Sequence, residues 1–342
     1  MMPSIPQEFL LSSYHYDLPP ERIASTPLLP QEQAKLLVYD RSSGRITHSH
    51  FAHVFDFFPK NALVVLNDTK VIKARLYGRK ASGGKIELLI HNPHNLHHFN
   101  AQIKGRISKG GMIELEQGYS CEVLTPPSNL RKVCFYHHQH PLNWEGVLTM
   151  LELLGHMPIP PYLKRPDTLT DTQTYQSVFA KHPGAIAAPT ASLHFSECAK
   201  EHLLTHFAHA FLTLHVGAGT FVGVECADIR EHTMHSEALF IPKDTQHALD
   251  HAPYILCVGT TALRGVEHYK RGNALKPCNL FLHPGNPVAH SQALLTNFHL
   301  PKSTLIMLVA SMVGLQKCLE LYKTAIEHKY RFYSYGDGML IL

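Results

Sequence analysis

From Lys70 to about Trp144, apolar and polar residues alternate with a period of two through "KVIKARLYGRK", "KIELLI", "FNAQIKGRI", "MIELEQG", "SCEVLT" and "RKVCFYHH", with Gly, Asn or Pro clusters between the runs. No ten-residue helical period interrupts them. The pattern predicts a small all-β unit of about six strands, and closing it into a barrel removes exposed edges. Before this stretch, "KLLVYD" and "RITHSHF" read as two strands joined by the turn "RSSG", and a short helix around "FAHVFDFF" leads to the apolar strand "NALVVLND". After it, a helical "WEGVLTMLELLG" and the Pro-rich loop "GHMPIPPYLKRP" return the chain to a different pattern. Strands "AIAAP", "FLTLHV", "ILCVGTT", "NLFLH" and "ALLTNF" alternate with helices "SECAKEHLLTHFAHA" and "ALRGVEHYKR", and two more helices run from Ser303 to about His328. That alternation predicts an α/β domain with its chemistry on loops at strand ends.

Composition keeps this picture within ordinary globular proteins: 342 residues, 44% hydrophobic and 17% charged, enough for one large domain or two smaller ones. The most apolar run, "STLIMLVASMVGL" from Ser303, is shorter than the roughly 20 residues that cross a bilayer, so a soluble, cytoplasmic protein is expected. The seven cysteines are scattered without a C-x-x-C pair, which signals neither a disulfide framework nor a zinc ribbon. Charge adds more. The net charge is only +4, yet Lys60 to Gly110 holds ten Lys or Arg against Asp68 and Glu87. This local cationic surface fits a polyanionic partner, with a solvated lysine-rich face as the alternative.

Five strand-to-loop junctions carry hydroxyls, small residues and a His, Arg, Asp or Asn: "LNDTKVIKAR", "AAPTASLHF", "TLHVGAGTF", "VGTTALRGVE" and "LLTNFHLP". The glycines at 217, 219 and 223 give G-x-G-x-x-x-G, so the dinucleotide fingerprint fails, although amides beside His215 remain able to bind an anion. "SGGK" at 82–85 lacks the spacing and hydroxyl of a Walker loop and reads as a hairpin turn. In "VGTTALRGVE", Thr260 or Thr261 is placed to cap the next helix, leaving Arg264 near an anion-favouring N-terminus. The alternative is plain capping, with Arg264 paired to an acid such as Glu267. Among 27 histidines, His202, His206 and His209 fall on one face of an expected helix but lack the acid of H-E-x-x-H, which favours a solvated face over a metal site.

Taken together, "YDLP", "NDTKVIKARLYGRKASGGKIELLI", "GHMPIPPY", "PGAIAAPTASLHF", "TLHVGAGTF", "HSE", "VGTTALRGVE", "LLTNFHLPKSTLIMLVAS" and "YRFYSYGDGMLI" resemble, in order and nearly end to end, the S-adenosylmethionine:tRNA ribosyltransferase-isomerases of queuosine biosynthesis. The resemblance implies an α/β main domain, residues 1–69 and 151–342, with an inserted small all-β barrel at 70–150. It also implies the reaction: the ribosyl part of S-adenosylmethionine is transferred to 7-aminomethyl-7-deazaguanine at the tRNA wobble position and isomerised to epoxyqueuosine, with adenine and methionine released. Ser192, Gly223, Ala262, Asn286 and Gln292 depart from the usual pattern, but no central His, Arg, Thr or Asn is lost.

Carried onto this chain, the resemblance makes His215 and His194 the candidates for proton transfer, because imidazole titrates near neutral pH; a packing role is the alternative for each. Thr190, Gly217, Gly219, Thr220, Thr261, Arg264, Asn297 and His299 are expected to hold S-adenosyl-L-methionine, a cosubstrate consumed as ribosyl donor, and no metal is expected. Arg75, Arg79, Lys80 and Lys85 are the candidates for RNA phosphates, with tRNA as partner, no membrane, and a monomeric enzyme. Two other classes stay open on local sequence: a methyltransferase, which would leave adenine attached, and a non-catalytic RNA-binding protein, which would not account for five polar strand ends.

Overall fold

The computed structural model describes residues 5–93, 96–217, 223–274 and 276–342. Its strands, in chain order, are β1 (Lys35–Tyr39), β2 (Ile46–His50), β3 (Ala62–Asn67), β4 (Thr69–Val71), β5 (Arg75–Lys80), β6 (Lys85–Pro93), β7 (Phe99–Lys104), β8 (Met112–Glu114), β9 (Tyr119–Val123), β10 (Arg131–His137), β11 (His140–Pro141), β12 (His182–Ala185), β13 (His209–Leu214), β14 (Leu239–Phe240), β15 (Tyr254–Val258), β16 (Ala293–Asn297) and β17 (Gly338–Ile341). The helices are α1 (Trp144–Leu154), the single turn α2 (Asp171–Thr174), α3 (Glu197–His206), α4 (Lys243–His251), α5 (Thr260–Lys270), α6 (Thr304–Val313) and α7 (Leu315–Glu327).

Eight strands form one mixed sheet in the order β14-β13-β3-β15-β16-β17-β1-β2. Its centre, β13, β3, β15 and β16, is parallel. All six residues of β3 are buried, which is why "ALVVLN" reads as a continuous apolar run: a parallel strand covered on both faces has no solvent side to mark with polar residues. The second sheet closes on itself. Strands β10-β7-β6-β5-β8-β9 pair antiparallel and β9 pairs back to β10, giving a six-stranded barrel, with β11 appended as a short hairpin partner. Here one face is solvated, so the period-two pattern appears; Leu76, Ile86, Leu88, Phe99, Ile113, Val133 and Phe135 fill the interior. Helix α1 adds Val147, Met150 and Leu151 to this core.

The chain enters and leaves the barrel through a shared crossing. The backbones of Arg75 and His156 exchange hydrogen bonds of 3.2 and 2.8 Å, so the outgoing and returning chains lie side by side. Gly155 makes this possible, because a Cβ there would sit 2.1 Å from the Lys73 carbonyl oxygen. Among the described residues no single helix is long and apolar enough to cross a membrane.

Several sequence expectations are corrected. "NLFLH" forms no strand: the Leu280 and Phe281 carbonyls accept instead from Arg264 Nε and Asn286 Nδ2. Only Ala185 of "AIAAP" is in a strand, and β12 pairs with β4 rather than joining the main sheet. Helix α3 stops at His206, so His209 begins β13 and the histidine trio does not share a helical face. Helix α4 and strand β17 carried no recognised signal: α4 is polar on most positions, and "GMLI" is too short to show a period.

Glu267 on α5 is fully buried and accepts backbone N–H groups of Ala289, His290 and Ser291 at 3.1, 2.8 and 2.9 Å, fastening the approach to β16. Burial works to raise its pKa, but these donors hold it below the ordinary value. Glu267→Ala removes the acceptor of three backbone donors, the one at Ser291 buried, and is expected to lower the unfolding free energy by about 3 kcal/mol. Urea titration checks this; an unchanged midpoint would show that the loop finds other partners.

Candidate active site

A cleft opens where β13, β15 and β16 end. Its walls come from Ala187 to Ala191, from Val216 after β13, from Gly259 to Thr261 at the start of α5, from Thr296 to Leu300 at the end of β16, and from Tyr162, Tyr175 and Tyr333. This is the carboxyl edge of the parallel strands, where α/β folds assemble sites. Thr190, Thr261, Asn297 and His299 all line it.

Asn67, at the end of β3, organises this edge. Its Oδ1 accepts from the N–H groups of Leu214 and Thr69 at 3.1 and 3.2 Å, while Nδ2 donates to the Leu214 carbonyl at 2.9 Å and to Thr261 Oγ1 at 3.1 Å. Thr261 is therefore held by Asn67 rather than serving as a cap. The N-cap position of α5 is Gly259, with φ 89° and no side-chain cap, so neither threonine caps as the sequence led us to expect.

His215 extends beyond β13, outside the residues that line the cleft, although its neighbour Val216 does line it. Its Nδ1 meets Thr69 Oγ1 at 2.8 Å, and its ring lies against Gly184, where a Cβ would come within 2.8 Å of Cε1. Burial, aided by nearby His182, lowers its pKa, so the imidazole is neutral at pH 7.

His194 is buried, stacks on Phe51 at 4.9 Å, and takes the Asn297 Nδ2 donor on Nε2 at 3.3 Å. Burial and the field of Arg331 bring its pKa down to about 4. It sits behind the cleft wall and orients Asn297, whose Nδ2 also donates to the Tyr333 carbonyl at 3.1 Å. His299, lining the cleft, pairs Nε2 with Thr296 Oγ1 at 2.9 Å, and burial lowers its pKa to about 3.

Two expected ligand residues are used differently. Arg264 is buried, and its partner is Glu237 rather than Glu267; Nη1 bonds to Oε2 while Nε donates to the Leu280 carbonyl at 3.0 Å. Burial opposes the charge, but Glu237 keeps the guanidinium protonated. Glu237 Oε1 in turn accepts the Gly217 N–H at 2.9 Å, so Arg264 acts through Glu237 on the loop after β13. Neither Arg264 nor Gly217 lines the cleft. Gly219 and Thr220 lie outside the described residues.

The departures from the family pattern have structural uses where contacts exist. Gln292 accepts the Ile255 N–H at 2.8 Å at the start of β15, and Asn286 bridges Arg271 and the Phe281 carbonyl. Ser192 is buried with an unpartnered Oγ among the described residues, and nothing in the structure explains it. Among the described residues no group of three or more His, Cys, Asp or Glu is placed to hold a metal ion.

On the barrel, Arg79 and Lys85 are exposed and Lys80 half-buried, its Nζ donating to the Arg106 carbonyl at 3.1 Å. Arg75 is spent internally, 3.5 Å from Glu87 and at the same distance from the Ile159 carbonyl oxygen at the crossing.

Sequence comparison is consistent from end to end. The family described as "Queuosine biosynthesis protein" matches residues 11–341. An S-adenosylmethionine:tRNA ribosyltransferase-isomerase of Helicobacter pylori strain P12 is 58% identical over 98% of this chain and 100% of its own length. One from Campylobacter jejuni is 52% identical over 98% of this chain and 99% of its own. The crystal structure of an S-adenosylmethionine tRNA ribosyltransferase from Thermotoga maritima is 28% identical, covers 96% of this chain and 100% of that chain, and aligns with a TM-score of 0.53.

The buried neutral histidines make stability depend on pH in a defined direction. Folded pKa values of about 4 for His194 and about 3 for His299 lie below the unfolded value of 6.5, so the unfolded chain binds more protons in acid. Their stabilisation is complete above pH 6.5 and is lost as pH falls, by up to about 1.4 kcal/mol per pH unit for each residue. Urea unfolding at pH 7.0 and 5.0 is expected to show a large loss at the lower pH that His299→Gln reduces; equal stability at both would mean that these imidazoles titrate normally.

Proposed function

The chain belongs to the queuosine biosynthesis family of S-adenosylmethionine:tRNA ribosyltransferase-isomerases, and on that premise we propose that the cleft at the carboxyl edge of the main sheet is where S-adenosylmethionine gives up its ribosyl group. The enzyme is a tRNA-modifying transferase and isomerase. We assign the acceptor as 7-aminomethyl-7-deazaguanine at the wobble position and the product as epoxyqueuosine, with adenine and methionine leaving. We take it to work as a cytoplasmic monomer without a metal, its main unit being residues 1–69 and 151–342 and its barrel 70–150. The observation that carries the site assignment is the convergence of Thr190, Thr261, Asn297 and His299 on one cleft.

The sulfonium of S-adenosylmethionine acidifies the ribosyl C5′ protons, so the reaction begins with a base. We assign that role to His215, which adjoins the cleft-lining Val216 without itself lining the cleft: it is neutral, partly exposed, and held by Thr69 through Nδ1, which leaves Nε2 as the proton acceptor when Thr69 Oγ1 accepts from Nδ1–H. His194 is reassigned from proton transfer to positioning, since its Nε2 is occupied by Asn297. Arg264 likewise becomes a positioning residue, fixing Gly217 through Glu237. Loss of adenine from C1′ and attack by the neutral aminomethyl nitrogen follow, and the dry walls of the cleft strengthen each polar contact made to the ribose.

For the RNA, Arg79, Lys80 and Lys85 on the barrel are the phosphate contacts, and Arg75 is withdrawn from that set because of its internal pairing. The wobble base lies in a loop, so bringing it to the cleft costs little unpairing.

Mass spectrometry of a reaction with S-adenosylmethionine and tRNA bearing the aminomethyl base is expected to show free adenine, methionine and the modified nucleoside. His215→Ala is expected to keep tRNA binding and lose adenine release; wild-type turnover in that variant would remove His215 from the mechanism. The double variant Arg79→Gln with Lys85→Gln should reduce the slope of log K against log salt for tRNA binding by about 1.4, at about 0.7 per phosphate contact on single-stranded RNA. An unaltered slope would return both residues to a solvated face.

A further inference from the structure

The cleft presents a charge problem. None of its lining residues among those described is Asp, Glu, Lys or Arg. Its one imidazole, His299, is neutral. Yet the cosubstrate carries a fixed positive charge on sulfur, and moving a bare cation from water into such a site is costly unless something there replaces its hydration.

What the cleft does offer is aromatic rings. Tyr162 and Tyr333 both line it, their ring centroids 4.6 Å apart and their planes at 54°. Tyr333 stands in the left-handed region at φ 73°, a conformation that a bulky aromatic residue rarely adopts. The surroundings enforce it: the Tyr333 N–H donates to the Phe298 carbonyl at 3.0 Å, and its own carbonyl accepts from Asn297 Nδ2 at 3.1 Å and from the Gly336 N–H at 2.9 Å. Tyr162 is fixed to the same segment, its hydroxyl accepting the Ser334 N–H at 3.0 Å. A strained backbone that is pinned on every side is a feature of binding and catalytic sites. A second feature agrees. Asn297 is 2% exposed, lines the cleft, and has an Oδ1 with no hydrogen-bond partner among the described residues. An unpartnered amide oxygen and two tyrosine rings are thus gathered in a cleft whose described lining has no anion.

We propose that Tyr333 and Tyr162 recognise the sulfonium centre of S-adenosylmethionine through their ring faces, and that the strained backbone at Tyr333 exists to place its ring there. The proposal rests on the reading that this cleft holds the cosubstrate. It assigns a role to "YRFYSYGDG", which the sequence marked as part of the family pattern without giving it a chemical task. A sulfonium is a diffuse, weakly hydrated cation, the kind for which an aromatic cage discriminates best against the uncharged form.

The test compares two ligands that differ at this centre: S-adenosylmethionine and S-adenosylhomocysteine, its neutral thioether counterpart. Affinities are measured by calorimetry on the full chain for the wild type, Tyr333→Phe, Tyr333→Asn and Tyr162→Leu. Asn is chosen because it tolerates a positive φ, so the ring is removed while the backbone is kept. The wild type and Tyr333→Phe are expected to prefer the sulfonium by about tenfold, and Tyr333→Asn to lose most of that preference. Tyr162→Leu, on a different segment, should lose it as well and serves if Tyr333→Asn does not fold. An unchanged preference in the folded variants would overturn the proposal while leaving the cleft as the cosubstrate site. Failure of the wild type to bind either ligand would instead remove that placement, and the proposal with it.

Discussion

The active edge of this protein depends on the side chain of Asn67. Where β3 ends, its backbone turns away from β13, and the primary amide takes over the missing rungs, bonding both the N–H and the carbonyl of Leu214 as a peptide group would. The same amide reaches Thr261 at the start of α5 and the backbone of Thr69, which orients His215. One buried amide with all its hydrogen-bonding capacity used therefore sets three segments that must agree on geometry: the strand that leads to the barrel, the loop bearing His215, and the helix whose first turn lines the cleft. Leaving any of these groups unpaired in a dry interior would be expensive, and this makes the arrangement specific as well as stable.

The fold was legible wherever burial writes a period into the sequence. The barrel strands alternate because one face meets water, and β3, β15 and β16 read as apolar runs because neither face does. Legibility failed where side chains replaced backbone partners. "NLFLH" has the composition of a strand, but its carbonyls are taken by Arg264 and Asn286, which no local pattern announces. Helix α3 and strand β13 share a run of similar residues, and only tertiary pairing decides that the helix gives way after His206.

The candidate site was legible in its residue types and less so in their partners. Thr190, Thr261, Asn297 and His299 meet in the cleft, as the hydroxyls, amide and imidazole at strand ends suggest. The partner of Arg264 was misplaced by thirty positions in the chain, because the nearest acid on its helix, Glu267, is committed to three amides on the far side. The tyrosines were the largest omission. Spread over Tyr162, Tyr175 and Tyr333, they share no spacing, and a tyrosine in a loop has the same look in sequence whether it lines a cleft or covers a surface.

The strand order also dictates when each part of the molecule can form. β3 waits for β13 and β15, and β1 waits for β17 at residues 338–341. The barrel has no such dependence, since all its pairings lie between Arg75 and His137 apart from the short β11 hairpin. On a ribosome it is free to close while the earlier strands still lack neighbours, and the main sheet is completed only once residues 338–341 have emerged. The apolar segment "ALVVLN" consequently lacks strand partners until residues 209–258 have emerged, and in that interval it is an aggregation-prone stretch that needs protection.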